Sequence, residues 1–134
     1  RTAGPLVINA RAETAAEKPL FRESLAARRC VVPSTGFFEW DAAKQRFFFT
    51  LPGGPALYMA GLWTLRNGFP CYTILTTAAN ASMQPVHDRM PVVLTHSTLR
   101  PWLEDASATA DILHAIPPEL HAAAADGGTQ LRLW

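Results

Sequence analysis

A chain of 134 residues, 49% hydrophobic and 17% charged, can bury one modest core and is too apolar to stay disordered. Its net charge of +1 argues neither for nor against a nucleic-acid partner, so any phosphate-binding site must be a local cluster of arginines. There is no apolar run of membrane-spanning length and no signal-peptide pattern, and the two cysteines do not make a secreted disulfide framework.

Taken in order, Leu6-Val7-Ile8 reads as a short strand, with Asn9-Ala10-Arg11 at its end, where polar groups commonly face a cleft. Thr14 to Glu17 has capping-box spacing, but Pro19 suits a first helical turn better. A helix is therefore predicted over 19–28, with Phe21 and Leu25 on its buried face and Arg28 and Arg29 complementing its C-terminal dipole. Cys30-Val31-Val32 reads as a buried strand stopped by Pro33, and Ser34-Thr35-Gly36 as a turn. Strands follow over 37–41, 46–51, 56–64 and 71–77. Gly61 marks a bulge or a close backbone approach, and Asn67-Gly68 a hairpin turn.

The stretch 78–86 breaks the strand pattern as a loose turn or short helix, and Val92-Val93-Leu94 is again apolar. Ser97 or Thr98 can cap a short helix through Leu103, with Pro101 in its first turn and Trp102 and Leu103 inward. Ser107 can cap a second helix over 108–115, the run 121–125 adds a helical turn, and 129–134 forms a last strand. The pattern predicts a single domain built on a meander of antiparallel strands with few helices.

Gly36-Phe37-Phe38-Glu39-Trp40 sets one carboxylate in an aromatic strand. With side chains alternating, packing of Phe38 and Trp40 on the core would point Glu39 the other way, beside Phe37. A carboxylate among aromatics loses water, which tends to raise its pKa and suits a general acid or base. It can equally be an exposed strand residue or half of an ion pair. His87-Asp88-Arg89 follows the loop, and three ionisable residues there are not all core. Glu39 and His87 could share proton transfer, Asn9 could orient a nucleophile, and Arg11 and Arg89 could grip phosphates in two-pronged fashion. The bland alternatives are a His87 satisfied by Asp88 or a backbone carbonyl, and an Arg89 in a surface ion pair. The set lacks a nucleophile: Ser34, Thr35 and Ser82 are turn or loop residues, and Cys30 and Cys71 read as buried reduced thiols. The histidines are scattered and no Cys/His spacing suits zinc, so no metal and no cofactor is expected.

Four segments in order carry a family likeness: Ile8-Asn9-Ala10-Arg11-Ala12-Glu13-Thr14, Arg28-Arg29-Cys30-Val31-Val32-Pro33, Gly36-Phe37-Phe38-Glu39-Trp40, and Val86-His87-Asp88-Arg89-Met90-Pro91. Together they resemble the successive signatures of the SOS-response-associated peptidase family, which captures abasic sites in DNA. The resemblance implies an α+β fold on a curved, mainly antiparallel, barrel-like sheet with a few short flanking helices. It also implies a cysteine nucleophile at position two of the full protein, exposed by removal of the initiator Met. The α-amine attacks the ring-opened sugar aldehyde and the thiol closes a thiazolidine. On this likeness Asn9, Glu39 and His87 are catalytic, Arg11 and Arg89 bind DNA, and the partner is single-stranded DNA carrying an abasic site, in a bacterial cytoplasm. The chain starts at Arg1 without that cysteine, so residues 1–134 are expected to be one domain incomplete at both ends, and a shortened sheet is expected to leave an exposed edge. The alternatives are a non-covalent DNA-binding module or inactive remnant and, more distantly, a small hydrolase using Glu39 and His87.

Overall fold

A computed structural model describes residues 8–54 and 56–125. Among the described residues nine strands and three α-helices form a mixed sheet that curls into a half-barrel, a smaller three-stranded sheet, and a flank of short helices. The α+β, barrel-like architecture is the one implied by the sequence.

The mixed sheet runs in the order β1 (Ile8–Arg11), β6 (Phe69–Ala78), β5 (Leu57–Arg66), β2 (Arg29–Ser34). β5 and β6 form the predicted hairpin, and Asn67 and Gly68 both take positive φ at its tip. Beyond the hairpin the two strands diverge. β7 (Arg89–Pro91) pairs with the end of β6, while β8 (Val93–Leu94) pairs with the start of β5. Val92 bridges the fork: its N–H donates to the Leu75 carbonyl at 2.8 Å and its carbonyl accepts from the Ala60 N–H at 2.9 Å. β1 departs from the meander, running parallel to β6. Gly61 is a close-approach site, since a Cβ there would stand 3.1 Å from both Cys30 Sγ and the Thr73 carbonyl oxygen.

The second sheet is β3 (Phe37–Trp40), β4 (Arg46–Thr50) and β9 (His121–Ala124), all antiparallel. β9 replaces the helical turn expected over 121–125: pairing with β4 overrides the helix preference of a run of alanines. The strand expected over 129–134 lies outside the described residues, as do Leu6 and Val7.

Helix α1 (Pro19–Ala27) matches its prediction, with Leu25 buried and Phe21 packed beside it. Arg29 caps it, donating from Nη1 to the Leu25 and Ala26 carbonyls at 2.9 Å. Pro33 does not end β2. It pairs opposite Tyr58 on the edge of the sheet, where a missing N–H costs little. The cap of α2 (His96–Glu104) is Thr95, in a capping box with Thr98, and Pro101 sits inside the helix rather than in its first turn. Trp102 is fully buried, its indole N–H donating to the Cys30 carbonyl, whereas Leu103 is exposed. Asp105, not Ser107, caps the turn leading into α3 (Thr109–His114).

One core lies between the mixed sheet and the helices, around Leu62, Leu75, Leu94 and Trp102. A second lies under the small sheet, where Phe49, Met83, Met90 and Leu120 pack together. A third cluster, Leu57, Met59 and Val93, joins the two sheets with help from Phe37 and Leu51.

Candidate active site

Between the two sheets opens a cleft of about 310 Å³. Its apolar lining includes Met59, Ile74, Phe37 and Met90, and its polar lining is Asn9, Glu39, Thr76, His87 and Arg89. Four of the five residues singled out from the sequence therefore meet in one hollow, delivered by β1, β3, the loop before β7, and β7. A hollow of about 500 Å³ lies between α1 and α3, but its lining contains none of these residues.

Asn9 is placed by alternation. Ala10 and Ala12 are buried in the main core, so Asn9 and Arg11 project from the opposite face of the chain. Arg11 is exposed and stands outside the cleft lining.

Glu39 is placed by the aromatic run, in the reverse sense to the orientation entertained from the sequence. Phe37 is the inward residue, stacked on Phe49 with ring centroids 5.4 Å apart, while Phe38 and the 49%-exposed Trp40 face outward. Glu39 shares the Phe37 face, so it looks into the cleft from the end of the core. Phe38 is held outside against Phe48, at 4.8 Å, and under the Arg46 guanidinium, 4.4 Å from its ring centre. Gly36 lets this hairpin close: a Cβ there would fall 2.5 Å from both the Phe48 ring and the Phe49 carbonyl oxygen.

His87 is placed by a loop organised around Asn80, within the stretch 78–86 that breaks the strand pattern. The buried Asn80 carboxamide donates to the carbonyls of Pro117 and Pro118 at 3.0 Å and accepts from Ser82 N–H and Oγ. Ala79 N–H then ties to the Asp88 carbonyl, and His87 N–H to Met83. The His87 ring is 42% exposed and its Nδ1 accepts the Arg89 backbone N–H at 3.1 Å. The Arg89 carbonyl oxygen lies 3.4 Å from the same Nδ1. Asp88 stands 3.5 Å from the same nitrogen, so the bland partners anticipated for His87 are present while the ring still lines the cleft.

Arg89 is only 17% exposed and has found a partner that sequence reading missed. Glu13, in the turn after β1, accepts from Nη1 at 2.7 Å and from Nη2 at 2.9 Å, a two-pronged pair. Nη2 also donates to the Thr76 carbonyl and hydroxyl at 3.0 and 3.1 Å, and Nε is buried with no partner. The guanidinium holds the Glu13 carboxyl down at about 2, against an ordinary 4.5. The signal that could have found Glu13 is the alternation itself: Asn9, Arg11 and Glu13 interleave with the small Ala10 and Ala12.

Both cysteines are free thiols set in the sheet. Cys71 is buried, and burial pushes the half-buried Cys30 thiol up, away from ionisation. Among the described residues no group of His, Cys, Asp and Glu could hold a metal, and no helix is long and apolar enough to cross a membrane.

The chain is similar to known proteins in sequence and in fold. The family described as SOS response associated peptidase (SRAP) matches residues 1–125. The abasic site processing protein YoaM of Bacillus subtilis is 38% identical over 122 residues, covering 84% of this chain and 54% of YoaM. YedK of Escherichia coli, also named an abasic site processing protein, is 33% identical, covering 74% of this chain and 48% of YedK. A crystal structure from Bacteroides thetaiotaomicron superposes with a TM-score of 0.80 at 31% identity, covering 92% of this chain and 60% of that one. The chain thus spans about half the length of the curated relatives it matches. With the family profile running through nearly the whole sequence and the fold shared, this chain belongs to the SOS response associated peptidase family.

Proposed function

We propose that this chain supplies the acid/base half of a site that captures abasic sites in single-stranded DNA, and that the nucleophile is an N-terminal cysteine of the whole protein. The observation that carries this reading is the convergence of Asn9, Glu39 and His87 on one cleft from three separate parts of the chain. The names of the relatives point to abasic sites as the substrate class.

On this reading the sugar opens to its aldehyde and an unprotonated α-amine attacks the carbonyl carbon. Loss of water leaves an imine, and addition of the cysteine thiol across the C=N bond closes a thiazolidine. His87, whose ring lines the cleft, delivers and removes protons during ring opening and dehydration. Glu39, on the facing wall, takes the proton from the amine. Asn9 orients the terminal residue, and Arg11 and Arg89 serve the phosphates on either side of the lesion. Hydrolysis of the peptide bond ahead of that cysteine is what frees its α-amine, and this trimming of the protein's own N-terminus is the sense in which we read peptidase. Residues 1–134 then act as a single domain, working in the cytoplasm and on the nucleoid when DNA is bound.

The test is a denaturing gel after incubation with single-stranded DNA carrying one abasic site, run for this chain and for its full-length gene product. The expected result is a heat-stable shifted band in the full-length protein, formed at least about 100-fold more slowly by Glu39→Ala or His87→Ala. A band from the 134-residue chain alone would overturn the assignment of the nucleophile. No band from either would leave non-covalent DNA binding as the function.

A further inference from the structure

We infer that Glu13 is a specificity-determining residue: it occupies Arg89 as an internal stand-in for a phosphate, and DNA must displace it to reach that guanidinium. The inference rests on the proposal that the cleft takes abasic single-stranded DNA.

A carboxylate and a phosphate present the same pair of oxygens to a guanidinium fork. Glu13 holds the end-on edge of Arg89, with both oxygens within 2.9 Å. Thr76 takes the side-on N–H of Nη2, and the adjacent Nε is out of reach of solvent. One N–H of Nη1 is left for an incoming anion, too little for a two-pronged grip. The pair is also neutral overall, so Arg89 attracts distant phosphates little while Glu13 is in place. Arg11, exposed on β1, feels the Glu13 charge at longer range but makes no ion pair among the described residues.

Glu13 has somewhere to go. Its side chain is 43% exposed, and away from Arg89 it borders the hollow of about 500 Å³ whose wall also carries Arg22, the carbonyl-bound Arg29 and one further carboxylate, Glu17, so that cations outnumber anions there. The carboxylate can withdraw towards these cations when a phosphate takes its place. Undamaged single-stranded DNA offers phosphates but nothing that enters the cleft, so it must break the Glu13–Arg89 pair without compensation. DNA with an abasic sugar seated against Asn9, Glu39 and His87 gains those contacts as well. Glu13 therefore weakens binding to undamaged DNA more than binding to the lesion.

The experiment is fluorescence-anisotropy titration of the 134-residue chain with undamaged and abasic single-stranded oligonucleotides over a range of salt, with folding checked by circular dichroism. Glu13→Gln should bind undamaged DNA roughly threefold to tenfold more tightly, with a steeper salt dependence by about 0.7 in log–log slope, the release of one counterion from single-stranded DNA. The preference for abasic DNA should shrink. The gain should vanish in Glu13→Gln/Arg89→Gln, which removes both charges of the pair while keeping hydrogen-bonding groups. Equal gain in the double variant would mean simple loss of a negative charge and overturn the exchange. So would a salt slope for the double variant about 0.7 below that of the wild type on undamaged DNA, since Arg89 would then already be on phosphate; this arm stands even if the single variant fails to fold. Wild-type protein that binds neither oligonucleotide would overturn the proposed function itself. Wild-type discrimination without a Glu13→Gln gain would overturn the exchange alone.

Discussion

The two walls of the cleft are held in place by different forces. The wall that carries His87 and Arg89 is tied by directional polar contacts: Asn80 to the Pro117 and Pro118 carbonyls, the Arg89 N–H to His87, and Arg89 to Glu13 and Thr76. The wall that carries Glu39 is a strand whose side-chain anchors are rings, Phe37 on Phe49 and Phe38 on Phe48, closed by the contact at Gly36. Hydrophobic packing tolerates changes of charge and pH but not of volume, while a hydrogen-bonded frame does the opposite. An acid/base pair drawn one from each wall should therefore fail in two separable ways.

The largest effect expected is on the aromatic wall. Phe49 is fully buried and touches both Phe37 and the methionines beneath the His87 loop. Phe49→Ala should cost about 3–5 kcal/mol, read as a fall in the denaturant midpoint, because a ring-sized cavity opens where β4 cannot collapse. Phe49→Leu should recover much of that loss. If Phe49→Ala cost less than about 1 kcal/mol, the aromatic wall would not depend on this packing, and the contrast between the walls would fall.

On the polar wall, Asn80→Ala should cost about 2 kcal/mol, since it leaves two proline carbonyls and the Ser82 N–H without their buried partner. Its second effect is local. Amide exchange at Met83, Val86 and His87 should quicken while exchange in β5 and β6 stays slow, because the loop, not the sheet, has lost its frame. Uniform acceleration across all strands would show that the loop and the sheet open as one unit.

The difference between the walls also explains what the sequence could and could not reveal. Period-two alternation around Phe37 showed that Glu39 and Phe38 lie on opposite faces. Which face meets the core is decided by β4, ten residues on, and alternation within one strand carries no information about that. The helix α1, the Asn67-Gly68 turn and the strands of the hairpin were legible because each is set by local chemistry. The strand β9 was not, since an alanine run forms a strand only when a partner edge, here β4, supplies its hydrogen bonds. The pairing of Glu13 with Arg89 spans 76 positions: alternation sets Glu13 on the same face as Asn9 and Arg11 but carries no information about its partner. The convergence of Asn9, Glu39 and His87 followed from family likeness rather than from spacing.

The smallest effect bears on the polar wall alone and has a definite sign. Glu13 titrates at about 2 in the folded chain against an ordinary 4.5, so folding is stabilised by its ionised form. That contribution is fully present above about 4.5, declines as the pH falls, and is gone below about 2. The full shift would correspond to about 3 kcal/mol, but Glu13 is largely exposed and solvent screens the pair, so about 1 kcal/mol is the realistic share. Wild type and Glu13→Gln should differ by that amount in urea unfolding at pH 7 and converge near pH 2. Phe49→Ala should be destabilised by nearly the same amount at both pH values, because no charge enters its deficit. A Glu13→Gln deficit that persisted unchanged at pH 2 would mean that Glu13 acts through packing and not through its charge, and the polar wall would then be held as its neighbour is.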